Sequence, residues 1–165
     1  MGVLDDYMVV PGLSLLEKTR IQAQVLVPVI RALRAELGRD KADALVKGAL
    51  RDWSREVFAK VGEGIEGSPG RKFAKMNRAL EEITMREVTF EMRRQDNEAL
   101  EFDVTSCRFA EFFRALGEPE LGALLICSTD IDIAEAGGKD VEFKREQTLM
   151  QGAKSCTFRY KFAPR

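Results

Sequence analysis

The stretch MREVTFEMRRQDNEALEFDV, residues 85–104, decides how the chain is read. Before it, apolar residues recur every three or four positions. Within it, Val88, Phe90 and Met92 recur every two, and after the turn-like QDNE the alternation resumes in Leu100, Phe102 and Val104. Period two puts one set of side chains on a single face of a strand. Two such runs around a polar turn predict an antiparallel hairpin.

Upstream, Ser14-Leu15-Leu16-Glu17 reads as a capping box that opens a helix running to about Leu37, with Gly38 as its stop. Pro28 lies inside this helix and predicts a kink or a break near Val27. Asp40 can cap a second helix, with Ala44, Leu45, Ala49, Trp53, Val57 and Phe58 on one apolar face. It should end near Gly62, in the glycine-rich GEGIEGSPG, the best linker candidate. A third helix over about 71–83 carries Phe73, Met76, Leu80 and Ile83.

Downstream, residues 107–116 return to helical spacing and Gly117 stops them. Glu118-Pro119 opens the next helix, with proline where its missing N–H costs little. Late strands are expected at roughly 141–149 and 156–162. The class is α+β: N-terminal helices packed on an antiparallel sheet of about four strands, with an inserted helical hairpin. One domain over 1–165 is expected, helical over about 14–83 and α/β over about 84–163.

Of the 165 residues, 26 are basic and 27 acidic, a formal charge of −1 without the footprint of a nucleic-acid binder. No apolar run reaches the roughly 18 to 20 residues that span a membrane. MGVLDDYMVV carries aspartates where a signal peptide places positive charge, so a cytoplasmic protein is expected. Apolar stripes on the long helices suit a homodimer. There is no histidine. Ser-His-Asp and Cys-His mechanisms within the chain are excluded, and proton transfer falls to carboxylates, thiols, lysine, tyrosine or metal-bound water.

Attention therefore turns to CSTDID, residues 127–132, where a thiol and two carboxylates follow an apolar run. A helix over 107–117 and a return over 119–127 each span about 13 to 16 Å, so Cys107 and Cys127 can lie at adjoining ends. Cys156 shares a strand face with Phe158, Tyr160 and Phe162, the face expected to turn inward. Three thiols can thus converge beside Asp130. The plainer alternative is that they are small core side chains, with Asp130 and Asp132 in a solvated turn or cap. Trp53 and Phe112-Phe113 read as core, and Arg71, Lys72, Lys75 and Arg78 as a solvated helical face.

FDVTSCRFAEFFRALGEPELGALLICSTD (102–130) and QTLMQGAKSCTFRY (147–160) carry a family resemblance. A cysteine opens a helix (Cys107), a second is followed by an aspartate (Cys127, Asp130), and a glycine precedes a third (Gly152, Cys156, then Phe158). In this order they resemble the bacterial L-2-amino-thiazoline-4-carboxylic acid hydrolase family, which is itself similar to vinyl-4-reductase-like small-molecule-binding domains. The resemblance implies hydrolysis of a cyclic isothiourea, 2-amino-thiazoline-4-carboxylate, to N-carbamoyl-L-cysteine, a step of cysteine metabolism. The related domains suggest the alternative of a small-molecule- or metal-binding sensor without turnover, and a helical interaction protein with plain core cysteines is a third reading. For the hydrolase, Asp130 is the preferred base or amidinium partner. Cys107, Cys127 and Cys156 either hold a divalent metal such as zinc, with Asp130, or supply a nucleophile. Arg108, Arg145 and Arg159 are carboxylate anchors, Arg159 on the less favourable strand face, and Asp132 and Tyr160 complete the substrate-binding set.

Overall fold

The computed structural model describes residues 12–62, 73, 75, 87–136 and 140–163. Within them the protein is α+β, with helices first and then a four-stranded antiparallel sheet. The helix expected over about 71–83 lies outside the described residues apart from Phe73 and Lys75, as does the glycine-rich stretch beyond Gly62.

Helix α1 (Leu15–Leu37) starts as its sequence dictates. The Ser14 hydroxyl accepts from the Glu17 N–H at 3.2 Å, and the Glu17 carboxylate accepts from the Ser14 N–H at 2.8 Å. Such caps stabilise a helix by about 1 kcal/mol. Of the kink or break expected near Val27, the break does not occur, since α1 runs on through Pro28. Proline denies the Gln24 carbonyl a donor, but Gln24 and Pro28 are both exposed, so water can take the donor's place. Gly38, at φ 77°, is the only residue between α1 and α2 (Arg39–Gly62).

Two expectations for α2 need correction. Asp40 sits inside the first turn, since the chain re-enters a helix immediately after Gly38. The first part of the apolar face is also turned away from the core: Ala44, Leu45 and Ala49 are exposed, and Trp53 is 46% exposed, while the side chains of Val57 and Phe58 lie outside those described. Ala42 and Ser54 are buried instead. A forked pair from Arg34 to Asp43, at 2.7 and 2.8 Å, sets the rotation of α2 against α1.

The sheet joins β1 (Val88–Gln95), β2 (Ala99–Cys107), β3 (Val141–Lys144) and β4 (Cys156–Phe162) in the order β1-β2-β4-β3. Asp96 holds the hairpin turn, accepting from the N–H groups of Glu98 (2.8 Å) and Ala99 (2.9 Å). On β4, Cys156, Phe158, Tyr160 and Phe162 are buried on one face as period two demands, with Phe73 packed over Tyr160. Strand β3 is shorter than expected. After Lys144 the chain leaves the ladder for a 3-10 turn over Leu149–Gln151, capped by the Thr148 hydroxyl.

Between β2 and β3 run α3 (Arg108–Ala115), α4 (Pro119–Gly122), a π-helical turn (Ala123–Cys127) and α5 (Thr129–Ala136). Leu16, Ala23, Val27 and Ile30 of α1 bury against Phe109, Phe113, Leu121 and Met150, a second core beside that of the sheet. Gly122 is the tightest point in it. A Cβ there would stand 2.5 Å from Met150 Sδ and 2.7 Å from Phe113 Cβ. Met150 can swing aside, but the Phe113 Cβ is fixed to the backbone of α3 and its side chain is fully buried. Gly122→Ala should therefore destabilise the protein by about 1–3 kcal/mol through overpacking, read as a lower midpoint of urea unfolding.

Candidate functional site

The site begins with the π-helical turn. There the Ser128 N–H reaches back five residues to the Ala123 carbonyl, at 3.0 Å. The Ile131 N–H then bonds to the Ser128 carbonyl (3.0 Å), where a regular helix would have bonded it to Cys127. The Cys127 carbonyl is thereby left to accept from Arg145 Nη2, at 3.0 Å. Around it the Ser128 hydroxyl donates to the Leu124 carbonyl (2.6 Å), and the Thr129 hydroxyl to that of Ile126. The polar run CSTDID is therefore the end of a π-turn and the start of α5, neither a strand nor a solvated turn.

Arg145 stands one residue past β3 on the same side as Val141 and Phe143. Its side chain is only 10% exposed. Nη1 donates to Asp130 Oδ2, and the guanidinium lies 5.8 Å from the Phe143 ring centroid and 5.5 Å from that of Phe158. Asp130 is 29% exposed. Burial pushes its carboxyl up to about 6, against the opposing pull of Arg145 and with a small push from Asp132. A carboxyl near neutrality can exchange protons in the range where, in this chain, no histidine is present to do so.

Asp132 does not join it. Two residues apart on a helix point nearly opposite ways. Asp132 is buried and turned towards α2, its carboxyl raised by burial and by Glu135 and partly offset by Lys47, Arg51 and Arg55. Tyr160 is buried in the aromatic core, its ring 4.6 Å from both Phe73 and Phe143, and burial and then Asp130 push its phenol well up. Arg108 reaches towards Glu87 at 3.4 Å. Arg159 lies on the other sheet face, bonded to Asp103 at 2.6 Å and the Phe102 carbonyl at 2.9 Å.

The three thiols come near one another without forming a ligand set. Cys107 caps α3, its sulfur accepting from the Ala110 N–H at 3.5 Å, and Cys156 Sγ accepts from the Leu149 N–H at 3.1 Å. Cys127 packs on the α1 core and Cys156 belongs to the sheet core, while Cys107 packs against both. Burial raises all three, and Cys127 is pushed to about 12 by burial and by Asp130. Among the described residues no three or more Cys, Asp or Glu side chains are arranged to hold a metal ion. Cys107, Cys127, Cys156 and Asp130 thus do not fit a zinc site, whose thiolates need to shed their protons and surround one point.

A cleft of about 760 Å³ opens between α2, α5 and β3. Arg55 of α2, Ile131, Ala134 and Glu135 of α5, Phe143 and Arg145 line it. Arg55 and Glu135 form a 2.6 Å ion pair across it. Sequence reasoning missed both, since partners 80 positions apart leave no local pattern. Phe143 was more accessible, because Val141, Phe143 and Arg145 share one strand phase.

The model of the family described as L-2-amino-thiazoline-4-carboxylic acid hydrolase matches residues 18–160, and the chain belongs to that family. No curated protein matches it. Among solved structures it is similar to the crystal structure of an Fe(II) unliganded H-NOX protein from K. algicida, at 14% identity over 87% of this chain and 74% of that one, with a TM-score of 0.46. No helix among the described residues is long and apolar enough to cross a membrane.

A thiol pushed up to about 12 leaves Cys127 almost entirely protonated at pH 8. Iodoacetamide at pH 8 should accordingly modify Cys127 far more slowly in the folded protein than in urea, by at least about 100-fold, as read by peptide mass spectrometry. Equal rates would show that Cys127 is an open thiol whose pKa burial does not raise.

Proposed function

We propose that the protein is a hydrolase that opens a cyclic isothiourea such as 2-amino-thiazoline-4-carboxylate to N-carbamoyl-L-cysteine, with Asp130 as the proton acceptor. One observation carries the reading: a half-buried carboxyl pushed to about 6 and hydrogen-bonded to a guanidinium on the wall of a cleft. Family membership supports the substrate.

The electrophile is the ring carbon bonded to sulfur and two nitrogens. Water forms a C–O bond there as Asp130 accepts its proton, the C–S bond breaks, and the sulfur leaves to become a thiol. Of the two protons from water, one ends on sulfur and one on the former ring nitrogen, and the carbon becomes that of a urea. Asp130 suits both directions of transfer because its pKa lies close to neutrality. Arg145 keeps the carboxylate in place and restrains its pKa. The chemistry involves no cysteine nucleophile, in keeping with thiols that burial holds protonated.

The test is to incubate the purified protein with 2-amino-thiazoline-4-carboxylate and follow N-carbamoyl-cysteine by mass spectrometry. In Asp130→Asn the amide oxygen can still accept from Arg145, but the buried guanidinium loses its counter-charge. In protein that circular dichroism shows to be folded, the substitution should lower kcat at least about 100-fold. The base must be ionised, so kcat/KM should fall as pH drops through about 6. The stability effect has the opposite sense. A carboxyl raised from 3.8 to about 6 favours the folded state most below pH 3.8, and that contribution disappears as pH rises through about 6. Unchanged turnover in Asp130→Asn would remove Asp130 from the mechanism. No product from folded wild-type protein would favour a binding module.

A further inference from the structure

The cleft presents two guanidinium groups, and they are held very differently. Arg145 is nearly buried, bonded to Asp130 and the Cys127 carbonyl and flanked by two rings. To take a ligand it would have to leave its partners. Arg55 is 51% exposed and donates a hydrogen bond to Glu135, itself 45% exposed. An exposed pair of this kind contributes little to stability, so an incoming anion can exchange with Glu135 at small cost.

We propose that Arg55 is the anchor for the carboxylate of the ring substrate, and that Glu135 holds its guanidinium across the cleft until the substrate arrives. The substrate class is taken from the hydrolase reading, but the anchor itself rests on the cleft geometry. On arrival the carboxylate of a small ring acid replaces that of Glu135 in a charge-assisted, forked contact. The apolar wall of Ile131, Ala134 and Phe143 then receives the ring. Specificity follows from the exchange. A ring without a carboxylate gains nothing from Arg55, whereas one with it gains a partner better placed than a flexible surface glutamate.

The test measures binding, so that it does not depend on turnover. Thiazolidine-4-carboxylate, which has the ring acid but no amidine to hydrolyse, and 2-aminothiazoline, which has the amidine but no carboxylate, are titrated calorimetrically into wild type, Arg55→Gln, Arg55→Lys and Glu135→Gln. Arg55→Gln should weaken the ring acid about tenfold or more and leave 2-aminothiazoline within about twofold. Arg55→Lys should fall between, keeping the charge and losing the fork. Glu135→Gln removes the competitor and should tighten the ring acid. Unchanged ring-acid affinity in Arg55→Gln, equal weakening of both ligands, or no binding of the ring acid to wild type would overturn the proposal. If the expected pattern holds but wild type makes no N-carbamoyl-cysteine, the anchor stands and the hydrolase reading fails. Hydrolysis with Arg55→Gln altering neither affinity nor KM removes the anchor alone.

Discussion

The ion pair between Asp130 and Arg145 is the constraint on which the rest of this half of the molecule depends. A guanidinium that is 10% exposed has to be bonded almost completely, because an unpaired buried charge costs several kcal/mol. Three elements meet that requirement. Helix α5 supplies the Asp130 carboxylate, the π-turn supplies the Cys127 carbonyl, and the sheet supplies the rings of Phe143 and Phe158. Each pins a different part of the chain to the end of β3. The π-turn, otherwise a poor way to continue a helix, is explained by the carbonyl it releases.

The cleft has a related origin. Helix α2 meets α5 through polar groups, with Lys47, Arg51 and Arg55 near Asp132 and Glu135, and among the described residues its buried side chains, Ala42 and Ser54, are small. Apolar side chains at those positions would close the gap, since packed interiors tolerate few voids. A charged interface between helices does not collapse in this way. It leaves solvent-accessible space with guanidinium and carboxylate groups on its rim, the composition of a pocket for a small polar ligand.

The legible part of the sequence was whatever local period and turn chemistry determine. The capping box at Ser14, the stops at Gly38 and Gly117, the hairpin around Asp96 and the inward face of β4 all follow from neighbours a few residues away. Where distant partners decide, the reading failed. The apolar residues of α2 suggested a core face through Leu45 and Trp53, yet the Arg34–Asp43 fork turned them outward. Pro28 suggested a break that solvent exposure makes unnecessary. In the candidate site, Asp130 and Arg145 were both singled out, but not as partners, because nothing in a linear pattern joins positions 15 apart across a helix and a strand end. Asp132 was placed by the same local argument and lies on the other side of its helix.

The absence of histidine makes the balance at Asp130 informative. Burial alone would hold a carboxyl neutral well above pH 7, where it could donate a proton but not accept one. An arginine alone would hold it ionised far below the ordinary carboxylate range, too weak a base to draw a proton from water. Here the two effects oppose each other and leave the group at about 6, the range an imidazole usually occupies. Arg145 thereby limits how far burial can raise the pKa, and its own rigidity decides how sharply the limit is set. Phe143 and Phe158 lie against the guanidinium at 5.8 and 5.5 Å, and the Cys127 carbonyl accepts from its Nη2, so it has little room to move. A looser arginine would drift from the carboxylate and let the pKa climb, so the aromatic face of the sheet helps to set the proton affinity of Asp130 by keeping a charge in place.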